Sequence, residues 1–150
     1  MRILAALARH GVEYVLVGSM AMAAQGLVRA TRDMDIFVSA DEANVERLKA
    51  ALREVFDDPA IDEITSEDLA GDYPALQYAP PQHDYWIDIL ARLGEAFHYS
   101  DLESEVVEVD GVRVIVATPR MLYRMKKDTV RPQDRLDAET LRQAFGLEEE

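Results

Sequence analysis

Apolar residues recur along the chain with two periods, and these periods predict alternating helices and strands. Residues 2–9 have helical spacing, with Ile3 and Leu7 on the inner face and Gly11 placed to end the helix. The following run at 15–17, Val-Leu-Val, is rich in β-branched residues and predicts a strand that stops at a glycine. The chain therefore opens with a helix that leads into a buried strand.

The stretch after this first strand has the most distinctive pattern. Gly18 is free of Cβ constraints, and Ser19 occupies the expected N-cap of a short helix over 20–25. Gly26 is placed to end that helix. A second strand is then predicted over 33–38, Asp-Met-Asp-Ile-Phe-Val, in which alternate residues are apolar. This unit of strand, glycine–serine turn, helix and strand is the centre of the sequence.

The remaining elements follow the same two periods. Ser39 and Glu42 have the spacing of a capping box, which predicts a helix that continues through Val55. Pattern and turn residues then predict short strands at 61–65 and 73–79, a buried strand at 85–90, and a hairpin of 106–109 and 112–116 around Asp110-Gly111. A helix is predicted at 120–129, capped by Thr118. The last predicted helix spans 133–145, with Leu136, Leu141 and Phe145 facing inward.

Length and composition add three constraints. The 150 residues predict one domain over 1–150, large enough for a single core. The absence of cysteine excludes disulfides and thiolate metal sites and makes a reducing cytoplasm the expected location. No apolar run approaches the roughly 20 residues of a membrane span, and residues 1–5 are too short a run for a secretion signal.

Charge is distributed unevenly along the chain. The net charge of −13 argues against general nucleic-acid binding, which depends on clustered basic residues. Residues 41–68 carry ten acids against three bases, whereas residues 120–137 carry six bases against three acids. The acidic flank is either a solvated surface or a docking surface for a basic partner. The basic segment favours a triphosphate partner.

Two aspartates on one strand are the first candidate for chemistry. A strand's period of two puts Asp33 and Asp35 on the same face, where their charges repel. A divalent cation such as Mg²⁺ or Mn²⁺ offsets this cost, since these ions take carboxylate and phosphate oxygens as ligands. Gly18 and Ser19 offer backbone N–H groups and a hydroxyl to an anion. This arrangement predicts a phosphate site beside a metal site.

A third acid lies in the strand predicted at 85–90. Asp88 is costly in a central strand unless it is paired or bound to metal. It is therefore expected either beside Asp33 and Asp35 as a third carboxylate, or in water on an edge strand.

The motif residues resemble a known superfamily. Gly18-Ser19, followed by Gly26-Leu27-Val28-Arg29-Ala30-Thr31-Arg32-Asp33-Met34-Asp35, is similar to the pattern of the nucleotidyltransferase superfamily with the DNA polymerase β type of fold, in its minimal bacterial, AbiEii-type group. Gln25 stands where these relatives commonly have histidine. The resemblance implies an α+β fold, a mixed sheet with helices packed mainly on one face. It also implies that Asp33, Asp35 and Asp88 are the catalytic and metal-binding residues.

The C-terminal segment carries a second part of the resemblance. Arg131, Pro132, Asp134 and Asp137 match a familial Arg-Pro-Lys-Asp-x-x-Asp pattern, with Gln133 in place of the lysine. A lysine precedes this pattern in relatives, and either Lys126 or Lys127 fills that position. Lys127 is preferred because it is four residues before Arg131. The resemblance implies phosphate binding by Gly18, Ser19, Arg29, Lys127 and Arg131.

Three functional classes follow from these observations. The first is a metal-dependent nucleotidyltransferase that moves NMP from an NTP to a hydroxyl acceptor, within a toxin–antitoxin or phage-defence system. The acceptor is a protein, an RNA end such as that of tRNA, or a small molecule. The second is a nucleotide-binding module without turnover. The third is an antitoxin-like interaction module with a protein partner. The presence of all three carboxylates and the Gly-Ser turn favours the first class.

Overall fold

The computed structural model describes residues 2–27, 33–71, 75–93 and 97–148. Its helices are α1 (Arg2–Arg9), α2 (Gly18–Ala24), α3 (Glu42–Val55), α4 (Ser66–Ala70), α5 (Pro119–Lys126) and α6 (Pro132–Phe145). Its strands are β1 (Tyr14–Val17), β2 (Met34–Val38), β3 (Ala75–Tyr78), β4 (Ile87–Leu90), β5 (Arg92–Leu93), β6 (Phe97–His98), β7 (Ser104–Val109) and β8 (Val112–Ala117). Two short 3-10 helices span Pro59–Glu63 and Tyr99–Asp101.

Six strands of the described residues form one mixed sheet in the order β3-β4-β2-β1-β8-β7, while β5 and β6 pair separately. β1 is antiparallel to β2 and parallel to β8. β2 is parallel to β4, which places these two strands side by side inside the sheet. The predicted α+β fold with a mixed sheet is confirmed.

Helices cover the centre of the sheet. All four residues of β1 are buried, and since successive strand residues point to opposite faces, both faces of this strand are covered. α1 packs against α3 and β8, whereas α2 packs against β1, β2 and α5. α5 and α6 pack against each other. The core therefore lies around β1 and β2, and its rigidity fixes the strand ends that carry the aspartates.

Most predicted elements exist, including the first helix, the 33–38 strand and the hairpin at Asp110-Gly111. Both turn residues of that hairpin have positive φ, 51° at Asp110 and 79° at Gly111, as a two-residue hairpin turn requires. Thr118 caps α5 by accepting a hydrogen bond from the Met121 N–H, as predicted. These features depend on local sequence, which explains why the pattern predicts them.

The predicted helix starts at Ser19 and Ser39 are wrong. α2 begins at Gly18, directly after β1, so Ser19 lies inside the first turn rather than at the N-cap. α3 is capped by Asp41, whose carboxylate accepts from the Asn44 N–H, and Ser39 instead donates a hydrogen bond to Asp41. Aspartate outcompetes serine here because a carboxylate accepts from two donors at once.

Two further predictions are corrected by packing. The 61–65 stretch is not a strand, because Asp58 and Pro59 start the first 3-10 helix just before it. On α6, Leu136 and Phe145 are 63% and 38% exposed, so the prediction that they face inward is wrong. The buried residues of this helix are Asp137, Ala138 and Leu141. The inward face of α6 thus carries an acid, which has a partner in the site described next.

Candidate functional site

Asp35 and Asp88 lie directly opposite each other on neighbouring strands. In the parallel pairing of β2 with β4, Asp35 is in register with Asp88, while Ile36 is in register with Ile89. Asp88 lies close enough to Asp35 to raise the pKa of its carboxyl. A carboxylate only accepts hydrogen bonds, so one of the two groups must carry a proton when they touch. The register of β2 and β4 therefore builds an acid pair.

The environment of Asp35 disfavours its negative charge. Burial, the hydrogen bond to Asp88 and the charges of Asp88 and Asp33 together raise the pKa of Asp35 to about 7, and Lys126 opposes this rise. Burial is the largest cause, because a carboxylate loses hydration in a low-dielectric site. A pKa displaced by desolvation and by specific charges is typical of functional sites.

Gly18 packs against this acid pair. A Cβ at Gly18 would collide with Asp35 Oδ2 and lie 3.0 Å from its Cγ. The φ angle of Gly18 is also positive, at 72°, which residues with a side chain rarely adopt. Position 18 therefore requires glycine for two reasons, the close approach of Asp35 and the positive φ. The start of α2 lies in van der Waals contact with the Asp35 carboxylate.

Asp33 lies just before β2 and is exposed. Its Oδ1 accepts a hydrogen bond of 3.0 Å from the Trp86 N–H, and the Trp86 carbonyl accepts one of 3.0 Å from the Met34 N–H. These bonds tie the approach to β2 to the approach to β4. Asp33 is close enough to raise the pKa of Asp35.

Lys126, at the end of α5, is the cation that acts on Asp35. Its Nζ lies 3.0 Å from Asp137 Oδ2 and 3.4 Å from Asp134 Oδ1, and all three side chains are at least 86% buried. Gln133 donates a 2.9 Å hydrogen bond to the other oxygen of Asp137. The acids on the inner face of α6 therefore hold this lysine. Their spacing of three residues on a predicted helix was the sequence signal for this arrangement.

The other predicted phosphate ligands are less closely associated with the acid pair. Lys127 lies 3.8 Å from Asp128. Arg131 has a side chain that is 76% exposed and reaches 3.8 Å from Asp134. Ser19 follows Gly18 in the first turn of α2, and Arg29 lies outside the described residues. Of the two candidate lysines, Lys126 is the one that the geometry associates with Asp35.

A cavity of about 310 Å³ opens beside Gly18 and Lys126. This volume is at the lower end of the about 300–1,000 Å³ of small-molecule sites. Its surface is mainly apolar, with two cations at the rim; the lining residues are Gly18, Leu93, Leu122, Met125, Lys126, Thr129, Val130, Arg131 and Asp134. The cavity thus offers apolar contact next to charges that suit phosphate.

The acid pair matches Mg²⁺ or Mn²⁺ in the chemistry of its donors. Both groups are carboxyls that repel each other when charged, and Mg²⁺ is commonly held by one or two carboxylates plus substrate phosphates. Within the described ranges, no three histidine or acidic residues are grouped closely enough to hold a metal ion by themselves. Asp35 and Asp88 therefore fit a cation whose coordination the substrate completes.

Three solved structures with a similar fold are described as nucleotidyltransferases or as nucleotidyltransferase-like. A putative nucleotidyltransferase from Thermotoga maritima is 17% identical, with a TM-score of 0.55 over 96% of this chain and 88% of its own. ANT(2″)-Ia in complex with adenylyl-2″-tobramycin is 12% identical, with a TM-score of 0.57 over 97% and 86%. An antigenic nucleotidyltransferase-like protein from Paracoccidioides brasiliensis is 14% identical, with a TM-score of 0.51 over 95% and 74%.

Sequence comparison supplies the family. No curated protein sequence matches the chain significantly. The family model of the nucleotidyl transferase AbiEii toxins, described as a type IV TA system, matches residues 2–126. This range includes Gly18, Asp35, Asp88 and Lys126, which the fold brings together. None of the described helices is long and apolar enough to cross a membrane. The chain belongs to the AbiEii nucleotidyltransferase family, on a polymerase β-like fold.

Proposed function

We propose that this protein is a metal-dependent nucleotidyltransferase that moves NMP from an NTP to a hydroxyl acceptor. The observation that carries the proposal is the Asp35–Asp88 pair pressed against Gly18. Two carboxyls in contact destabilise the protein unless they share a proton or a cation. Gly18, which packs against Asp35, also lines the cavity of about 310 Å³, so the acid pair lies next to a space that can hold a ligand.

In the proposed reaction, the acceptor oxygen attacks the α-phosphorus in line with the leaving group. The bond from this oxygen to phosphorus forms, the bond from phosphorus to the bridging oxygen breaks, and pyrophosphate leaves. The hydroxyl proton passes to Asp88, which faces Asp35 across the parallel strands. A bound divalent cation would neutralise the triphosphate and acidify the acceptor hydroxyl. Asp35 and Asp88 would hold it, with Asp33 nearby.

We place the phosphates of the NTP between the start of α2 and the end of α5. The first N–H groups of α2 have no acceptors within the helix, and Gly18 allows a phosphate to approach them closely. Ser19 adds a hydroxyl, and Lys126 adds a positive charge whose position is held by Asp134 and Asp137. Arg131, at the cavity rim, adds a second charge. Lys127 and Arg29 remain candidates for the outer phosphates.

The acceptor belongs to a class that tolerates a strongly acidic protein. The net charge of −13 repels polyanions, so a small molecule or a protein is favoured over a nucleic acid. The structure of ANT(2″)-Ia contains adenylyl-2″-tobramycin, a small molecule nucleotidylated on a hydroxyl position. The same transfer chemistry is proposed here, in the cytoplasm and within a toxin–antitoxin pair.

The test follows label from α-³²P-NTPs to an acceptor in a cell lysate, with Mg²⁺ or with EDTA. We expect a labelled product with Mg²⁺ that is absent with EDTA, and at least roughly 10³-fold less product from Asp88→Asn. Asp110→Asn, the same chemical change at the exposed hairpin turn, should retain full transfer. Asparagine tolerates positive φ, so this control should keep its fold.

Undiminished transfer by Asp88→Asn would refute the assignment of the acid pair. Tight NTP binding by the wild-type protein without any labelled product would instead support the nucleotide-binding module without turnover. Both outcomes require circular dichroism to show that the variants are folded.

A further inference from the structure

The edge of the sheet furthest from β3 carries a second groove. Its volume is about 360 Å³, and it lies between α1 and the β7–β8 hairpin. β1 and β8 separate β7 from the acid-bearing strand β2 in the sheet order. This groove is therefore distinct from the cavity beside Gly18, with which it shares no lining residue.

The groove has an apolar surface that the fold leaves open. Val106 lies in the middle of β7 but is 52% exposed, and its cross-strand neighbour Ile115 is half-buried. The facing wall is formed by Leu7 and by Gly11, where a Cβ would meet no atom within 4 Å. An apolar side chain placed over Val106 would therefore be buried against this surface.

The outer edge of β7 is suited to strand pairing. β7 pairs continuously with β8 from Ser104 to Val109, without a bulge. Within the described ranges, no strand pairs with its other edge. Natural edge strands are commonly protected by proline, lysine, bulges or short length. β7 has six residues without proline, lysine or a bulge, and the charges that it carries are the acids Glu105 and Glu108, so its outer edge suits an added strand of opposite charge.

The charges on β7 indicate which kind of strand can pair with its outer edge. Glu105 and Glu108 are exposed on β7, on opposite faces of the strand, and Arg113 lies opposite Glu108 on β8. A second copy of this chain would bring the same acids and a net charge of −13 to the same edge. Like charges on neighbouring strands are destabilising, whereas opposite charges stabilise the pair.

We propose that β7 accepts a basic, extended segment of a partner protein as a seventh strand. Because strand side chains alternate, one segment places apolar residues over Val106 on the groove face and basic residues beside Glu105 on the other face. Backbone hydrogen bonds to β7 provide affinity, while the groove and Glu105 select for a segment with alternating apolar and basic side chains. Three strands, β7, β8 and β1, would separate the added strand from β2, which carries Asp35.

The test uses the peptide acetyl-Lys-Val-Lys-Val-Lys-Val-amide and ¹⁵N-labelled full-length protein. We expect chemical-shift changes and slower hydrogen exchange for backbone amides of residues 104–109. Val106→Lys should weaken binding roughly tenfold, since it puts a positive charge at the contact. Val130→Lys is the matched control, because Val130 is 87% exposed beside the other cavity, and its binding should stay within about twofold.

Two control peptides separate the contributions. A peptide with glutamate in place of lysine should bind at least about tenfold more weakly, and one with a central proline should leave hydrogen exchange of β7 unchanged. Equal binding of the lysine and glutamate peptides, or amides of 104–109 that do not respond, would overturn the proposal. Sedimentation that reveals a dimer lost in Val106→Lys would identify a second copy as the occupant and would also overturn it.

Discussion

Two pairs of aspartates in this protein have opposite surroundings. Asp134 and Asp137 on α6 share Lys126 and accept further hydrogen bonds from Thr129 and Gln133. Asp35 and Asp88 on the strands face each other, and the pKa of Asp35 rises to about 7. The helix pair makes direct ion pairs with Lys126, whereas in the strand pair Lys126 only partly offsets the rise in the pKa of Asp35.

This difference in surroundings indicates a structural role for the aspartates on α6 and a chemical role for those on β2 and β4. A compensated acid pair stabilises its surroundings and fixes the position of Lys126. Two facing carboxyls whose charge is only partly offset cost stability, and binding of a proton or a cation reduces that cost. The same residue type therefore serves structure on α6 and chemistry on β2 and β4.

The largest effect on stability is expected from removing the shared lysine. Lys126→Ala leaves two buried carboxylates without their cation, which should lower the free energy of unfolding by about 3 kcal/mol in urea titrations. Lys127→Ala is the matched control. Its partner Asp128 is 84% exposed, so the loss should stay below about 1 kcal/mol. Equal losses for the two variants would show that the α6 pair is not compensated by Lys126.

A smaller loss is expected from adding one methyl group at the strand pair. Gly18→Ala places a Cβ against Asp35 and forces alanine into positive φ, which should cost about 2 kcal/mol or more and abolish transfer. Gly26→Ala carries the φ strain alone, since a Cβ there meets no atom within 4 Å. The melting temperature of Gly18→Ala should therefore be lower than that of Gly26→Ala. The reverse order would contradict the close packing of Gly18 on Asp35.

The smallest effect is the pH dependence that the strand pair imposes. The pKa of Asp35 is about 7 in the folded protein, against 3.8 for an ordinary aspartate. Below the lower value both states hold the proton; between the two values only the folded state keeps it. Stability from this group is therefore lost as pH rises through about 7.

Asp35→Asn removes this dependence. In EDTA, the stability of the variant relative to wild type should be about 1 kcal/mol greater at about pH 8 than at about pH 5, allowing for solvent that reaches the carboxyl. Mg²⁺ should reduce this advantage by stabilising the wild-type pair. Urea titrations at both pH values measure it, with Asp110→Asn as control. If the free energy of unfolding changed equally with pH in wild type and Asp35→Asn, the raised pKa of Asp35 would be contradicted.

Elements with local signals could be predicted from the order of the residues alone. Alternation predicted β2, the Asp-Gly turn predicted the β7–β8 hairpin, and Thr118 with Pro119 predicted the start of α5. These predictions succeed because period, turn conformation and capping are decided within a few residues.

Which residues from distant segments become neighbours depends on how the elements pack. This packing set the register that brings Asp35 to Asp88, put Gly18 against the carboxylate, and turned Lys126 rather than Lys127 toward the acids of α6. It also exposed Leu136 and buried Asp137, against the apolar pattern of α6. Register and helix rotation depend on contacts between distant segments; on α6, Asp137 is buried in its ion pair with Lys126 and Leu136 is exposed, while Leu141 stays buried.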